Sequence, residues 1–163
     1  MKKSEIILIS LLLLVDQSVK WGMERLLETG SLTIIHNFFS LTWSENFGAA
    51  WSIFENARWF LIIVGFLSLI VLIIMKQTIP DSLGKHLSTS LLFAGILGNL
   101  IDRIVFGYVK DYLHFTFFGY SYPIFNLADV FIVCGAILLI WIIWKEEKKD
   151  GKNYRVNERK GTD

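Results

Sequence analysis

Trp59-Phe60-Leu61-Ile62-Ile63-Val64-Gly65-Phe66-Leu67 opens a run that continues to Met75 without one charged residue. At about 1.5 Å per helical residue such a stretch is long enough to cross the hydrocarbon of a bilayer, and its apolar residues surround the helix rather than forming one stripe. It sets the class of the protein. Three more blocks of similar length flank it, so we expect spans at about residues 5–23, 57–75, 86–106 and 123–144. Composition agrees: 53% of the 163 residues are hydrophobic and the mean hydropathy is +0.50. The sequence therefore predicts an integral membrane protein, mainly α, with a four-transmembrane-helix bundle in residues 1–144 and a charged tail in residues 145–163 that we read as solvated and partly disordered.

A net charge of +1 argues against a nucleic-acid binder, which needs a basic surface to meet phosphates. The single Cys134 lies in an apolar block and reads as a small buried residue. Met1-Lys2-Lys3 and the block after it resemble a secretory leader, but the apolar core runs into Asp16 and Lys20 instead of a small-residue cleavage site, so we read a retained helix.

Lys2, Lys3, Lys76, Lys85, Lys145, Lys148, Lys149, Lys152, Arg155, Arg159 and Lys160 fall on one side if four helices alternate, against Arg25, Arg58 and Lys110 on the other. The basic side is expected to be cytoplasmic, with both termini inside and the loops 24–56 and 107–122 outside. Asp16 and Lys20, then Asn99, Asp102 and Arg103, then Asn126 and Asp129, all fall in the outer half of their spans. Ionised groups are expensive in hydrocarbon, so three segments agreeing on depth predict one shared polar site near the outer face. In the first outer loop, residues 32–43 are β-branched and aromatic with partial alternation, predicting a strand or hairpin. Asn46, a turn at Gly48 and an amphipathic piece lying on the membrane through Trp51, Ile53 and Phe54 follow.

Asp16 and Lys20 stand four residues apart on one helix face and are expected to form a structural ion pair. Asp102 shares its neighbourhood with Asn99 and Arg103 and is expected to join a helix-orienting hydrogen-bond network. Asp111, just past the third span, and Asp129, placed about two turns into the fourth, lack an evident cation; Lys110 is expected to project away from Asp111. Two carboxylates brought together in a partly dry site share a proton, so one activates a water while the other polarises a carbonyl. No set of ligands at zinc spacing and no Gly-rich phosphate loop is present, so no metal or other cofactor is expected.

Asp16-Gln17-Ser18-Val19-Lys20, Asn46-Phe47-Gly48-Ala49-Ala50, Gly98-Asn99-Leu100-Ile101-Asp102-Arg103, Val109-Lys110-Asp111-Tyr112 and Phe125-Asn126-Leu127-Ala128-Asp129 stand in the order found in bacterial lipoprotein signal peptidase, or signal peptidase II, which the chain resembles over nearly all its spans. The resemblance implies an intramembrane aspartic endopeptidase of the bacterial cytoplasmic membrane. Such an enzyme cuts prolipoproteins before a cysteine that carries diacylglycerol. It implies Asp111 and Asp129 as the catalytic pair, Asn46, Gly48, Asn99, Arg103 and Asn126 as residues that shape the site or hold substrate, and Asp16, Lys20 and Asp102 as structural polar groups. A small extracytoplasmic sheet and an interfacial amphipathic helix in the first outer loop, a monomer surrounded by membrane lipids, and inhibition by globomycin-type cyclic peptides are implied too. The family usually has Ser or Thr where Val19 stands and Phe where Tyr112 stands.

A small transporter or proton channel would also bury carboxylates, but it needs a polar route through both halves of the membrane, and the inner halves of the spans read as free of ionisable groups. A non-enzymatic assembly protein would use Asp16, Lys20 and Asn99 as interhelical glue and leave Asp111 and Asp129 unexplained.

Overall fold

The computed structural model describes residues 1–28, 30–49, 51 and 53–160. The elements run α1 (Lys3–Leu26), β1 (Leu32–Ile35), β2 (Phe39–Asn46), α2 (Arg58–Thr78), α3 (Leu83–Val105), β3 (Val109–Phe117), β4 (Tyr120–Ser121) and α4 (Leu127–Lys160). Among the described residues four helices are long and apolar enough to span a membrane, the fourth over Leu127–Lys148. Large apolar side chains such as Leu14, Ile63 and Ile137 are exposed around the bundle, as a lipid solvent requires.

The third helix is the axis of the bundle. The other three pack on it, α4 most extensively, and it buries Leu92, Phe93, Ala94 and Leu100. Apolar side chains gain little by leaving lipid for a helix interface, so close association depends on small residues that let backbones meet. A Cβ at Gly95 would lie 2.4 Å from the Ala128 carbonyl oxygen, and one at Gly135 would lie 2.9 Å from the Ser88 carbonyl oxygen. At Gly98 it would lie 2.5 Å from Asp16 Oδ2.

A polar clasp holds the end of the bundle that carries the N-terminus. Glu5, 2% exposed, accepts hydrogen bonds from the Lys2 backbone N–H at 2.7 Å and from Lys76. Its Oε1 lies 2.6 Å from His86 Nδ1, so α1, α2 and α3 are joined there. These spans are therefore not free of ionisable groups at that end. Lys76 and His86 lie 71 and 81 residues from Glu5 in the chain, so no local pattern announces the clasp.

At the opposite end the strands form one antiparallel sheet in the order β1-β2-β3-β4. The hairpin expected in residues 32–43 is there, with Asn37 at φ 57° in its turn. However, the sheet is not confined to the first outer loop. β2 pairs with β3, Ser44 opposite Asp111 and Asn46 opposite Val109, and the Phe39 and Phe115 rings stack at 4.6 Å. In the stretch expected as an interfacial helix, Trp51 is 3₁₀-helical and residues 53–56 form turns, with Trp51, Phe54 and Asn56 at positive φ. Residues 50 and 52 lie outside the described residues. Trp51, Ile53 and Phe54 are nonetheless exposed together.

The fourth helix starts at Leu127, not near residue 123, because Phe125 is held by an isolated antiparallel bridge to Leu113. It donates to the Leu113 carbonyl at 3.1 Å and accepts from the Leu113 N–H at 2.8 Å. Asp129 therefore stands in the first turn of α4 rather than two turns in, a correction that matters for the site.

Replacing Gly95 by Ala drives a methyl into backbone that cannot yield without parting α3 from α4. We expect a loss of about 1–3 kcal/mol, seen as a lower unfolding temperature in detergent. Gly22→Ala has open space around its Cβ and is expected to match or slightly exceed the parent.

Candidate active site

Asp111 enters the site from β3 and is 2% exposed. Its Oδ2 accepts from Asn46 Nδ2 at 2.8 Å and its Oδ1 from Asn126 Nδ2 at 2.7 Å. Asn46 ends β2, and its own Oδ1 accepts from the Gly48 N–H at 2.9 Å, which sets the tight turn there. Burial, and after it the negative charge of Asp129, push the Asp111 carboxyl up to about 7; the two asparagine donors work against that rise.

Asp129 approaches from the first turn of α4. Its Oδ1 accepts from Asn99 Nδ2 at 2.7 Å and its Oδ2 from the Asn126 backbone N–H at 3.2 Å. The Asp129 N–H donates to Asn126 Oδ1 at 3.1 Å, so Asn126 and Asp129 cap the helix reciprocally. This reciprocal cap is legible in sequence as Asn126-x-x-Asp129 before an apolar run. Asn126 is the hub: fully buried, it also donates to Asn99 Oδ1 at 3.1 Å. One asparagine thus holds Asp111 with its side chain and Asp129 with its backbone.

Behind these groups lies a buried ionic cluster. Lys20 Nζ stands 3.0 Å from Asp16 Oδ2 and 2.9 Å from Asp102 Oδ2, and donates to Asn99 Oδ1 at 3.2 Å. Lys20 thus serves α3 as well as its neighbour on α1. Gln17 Nε2 donates to Asp102 Oδ1 at 3.1 Å, and the Lys110 backbone N–H donates to Asp102 Oδ2 at 3.3 Å. Asp102 is therefore bound to Lys20, Gln17 and β3 rather than to Asn99 and Arg103.

Arg103 donates from Nη2 to the Gly48 carbonyl at 2.9 Å and from Nη1 to the Asn99 carbonyl at 3.4 Å; its buried Nε has no partner among the described residues. Several supports carry no clear signal in sequence. Lys110 does project away from Asp111, to Glu24 at 2.5 Å and over the Phe106 ring, tying β3 to α1. Arg58 caps the end of α3 by donating to the Arg103 and Ile104 carbonyls at 2.8 and 2.9 Å. The Tyr112 hydroxyl accepts from the Leu127 N–H at 3.2 Å.

Asp111 and Asp129 both line a cavity of about 630 Å³. Asn46, Asn99 and Arg103 complete its polar end; Leu61, Val64, Ile96, Leu100, Val130 and Val133 line the rest. A second hollow of about 370 Å³ shares Val64, Ser68 and Ile96 with the first and continues to Met75 and Leu139. Gly48 and Asn126 stand beside the cavity and hold its wall, whereas Asp16, Lys20 and Asp102 lie behind it. Among the described residues no group of three or more His, Cys, Asp or Glu side chains is placed to hold a metal ion. The site offers two acidic groups facing one space, Asp111 pushed up to about 7 by burial and by Asp129, beside an arginine whose Nε has no partner among the described residues, and a long apolar recess.

The model of a family described as signal peptidase (SPase) II matches residues 8–145. The lipoprotein signal peptidase of Clostridium acetobutylicum is 42% identical over 153 residues, 91% of this chain and 99% of that relative. That of Halothermothrix orenii is 42% identical over 87% of this chain and 96% of its own length. Among solved structures, a bacterial membrane enzyme determined by the in meso method superposes with a TM-score of 0.79 at 34% identity, covering 90% of both chains. Another gives 0.74 at 35% identity over 86% of this chain and 92% of its own. A match that takes in every site residue from Asp16 to Asp129, together with relatives alike over nearly their whole length, places this chain in the signal peptidase II family.

Proposed function

We propose that this protein is an intramembrane aspartic endopeptidase that removes signal peptides from prolipoproteins, cutting on the N-terminal side of a diacylglyceryl-modified cysteine. The family supports the signal-peptide substrate. The aspartic mechanism rests on one observation, that Asp111 and Asp129 line the same cavity and are joined through Asn126. In the resting pair Asp111 carries the shared proton, in keeping with its titration near neutrality, and Asp129 is ionised. Asp129 takes a proton from a water whose oxygen attacks the scissile carbonyl carbon, while Asp111 gives its proton to the carbonyl oxygen. The gem-diol then collapses: the carbon–nitrogen bond breaks, the cysteine nitrogen leaves with a proton from Asp129, and a hydroxyl proton returns to Asp111.

The apolar recess suits an apolar signal segment arriving from the lipid. Because helical carbonyls are already hydrogen-bonded, the segment must unwind at the cut, and Arg103 Nε beside the Asn99 and Asn46 amides offers donors to the freed backbone. The lysine and arginine distribution supports a cytoplasmic location for both termini. The site then faces the outer leaflet of a bacterial cytoplasmic membrane, where the lipid of the substrate lies, so the scissile bond is reached without extracting the anchor. The protein acts as a monomer, and a globomycin-type cyclic peptide would occupy the same cavity.

Purified protein in detergent, given a lipid-modified prolipoprotein, is expected to lose kcat by about 10²–10⁴-fold on Asp111→Asn or Asp129→Asn with the fold retained by circular dichroism. Cleavage near the parent rate by both folded variants would end the aspartic reading.

Titration of Asp111 gives a second expectation. A carboxyl whose folded pKa is raised from 3.8 to about 7 leaves the folded state holding more protons between those values, so stability falls as pH rises through that window and is level above it. The unfolding temperature of Asp111→Asn relative to the parent should therefore rise between pH 5 and pH 8. A difference independent of pH would contradict it. EDTA is expected to leave the cleavage rate unchanged, whereas a metal-dependent peptidase would lose it.

A further inference from the structure

We infer that the hydroxyl of Tyr112 is a positioning group that locks the first turn of α4, and with it Asp129, to the strand that carries Asp111. The inference rests on the proposed pairing of those two aspartates and adds a residue to it.

The start of α4 is enclosed by protein, with Asn126 and Ala128 fully buried. The first N–H groups of a helix have no partner within it, and here they must find one in the protein. Asn126, whose carbonyl accepts the first helical bond from the Val130 N–H, satisfies the Asp129 N–H through its side chain. The Leu127 N–H goes to the Tyr112 hydroxyl at 3.2 Å. Tyr112 is itself 2% exposed and donates its backbone N–H to the Phe125 carbonyl at 3.0 Å. One residue therefore grips the chain on both sides of Asn126, by its backbone at Phe125 and by its phenol at Leu127. It follows Asp111 directly in β3, so the relative placement of the two carboxyl groups passes through it.

Phenylalanine, which the resembled family usually carries here, would keep the ring and the backbone bond but leave the Leu127 N–H of this chain without its acceptor. The effect is therefore expected for this chain's own α4 start and not as a requirement of the family. The first turn of α4 would then be free to shift against β3. Misplacing a reacting group by a fraction of an ångström slows the chemical step without weakening substrate binding. The expected signature of Tyr112→Phe is a kcat lower by about tenfold, a KM within about twofold of the parent, and faster hydrogen exchange at the Leu127 amide. Leu127→Pro lacks the N–H while keeping a residue suited to the first position of a helix. It should reproduce the kcat loss, and adding Tyr112→Phe to it should cost less than about twofold more.

Parent-level kcat in Tyr112→Phe, with or without a lower unfolding temperature, would overturn the inference, because a merely structural hydroxyl changes stability alone. A raised KM at unchanged kcat would overturn it as well, assigning the phenol to substrate binding. So would parent kcat in Leu127→Pro or an unchanged Leu127 exchange rate. Asp129→Asn is assayed beside them. If that variant stays active the aspartic pairing falls, whereas an inactive Asp129→Asn with a fully active Tyr112→Phe removes only the role of Tyr112.

Discussion

The buried ammonium of Lys20 is the constraint from which the site is built. It is wholly buried, as are the carboxylates of Asp16 and Asp102 that flank it. Taking such ions out of water costs several kcal/mol each, so the cluster persists only because its geometry and hydrogen bonds offset that cost. The bonds lead straight to the site. Through Asn99 the lysine reaches Asp129, and through Asp102 Oδ2 it reaches the backbone of Lys110, one residue before Asp111. The two acidic groups of the cavity come from different elements and lie eighteen positions apart in the chain, yet both supports end on one cation.

Much of this is legible in the sequence, because hydrocarbon is a strict solvent. Charge-free runs such as residues 59–75 announce spans, and each charge inside a span must have a partner. Asp16, Lys20, Asn99, Asp102 and Asp129 therefore point to one depth before any coordinates are seen. The second aqueous loop is harder to read, because water satisfies an unpaired backbone and imposes no such rule. Val109–Phe117 places Lys110, Asp111 and Tyr112 in succession, all buried, since Lys110 meets Glu24 of α1 and the Phe106 ring while Asp111 and Tyr112 meet Asn126 and Leu127 at the start of α4. That erases the alternation by which a strand is recognised. Phe125 belongs to the same pairing, and an apolar residue after Pro123 reads as the start of a helix. The capping pair Asn126 and Asp129 does mark the true start, because it supplies a partner to an N–H group of the first turn. Glu24 with Lys110, Glu5 with His86 and Arg58 with the end of α3 join residues 45 to 86 positions apart, and no local pattern encodes them.

The helices divide the work unequally, and the division follows from what each wall of the cavity must tolerate. The first, third and fourth are locked by Lys20, by the Asn126 hub and by glycine contacts too close to admit a methyl, which suits groups that must be held to fractions of an ångström. The second carries no charge between Arg58 and Lys76 and packs chiefly on α3, where Leu100 Cδ1 comes within 3.1 Å of a Cβ built on Gly65. Its cavity side presents Leu61, Val64 and Ser68. A wall of that kind interacts with an apolar chain much as lipid does. On the reading proposed above, an apolar segment can slide along it and leave again, while the polar groups stay together at one end of the cavity. Selectivity for the position of the cut would then come from Arg103 and the asparagines, with α2 contributing little beyond shape.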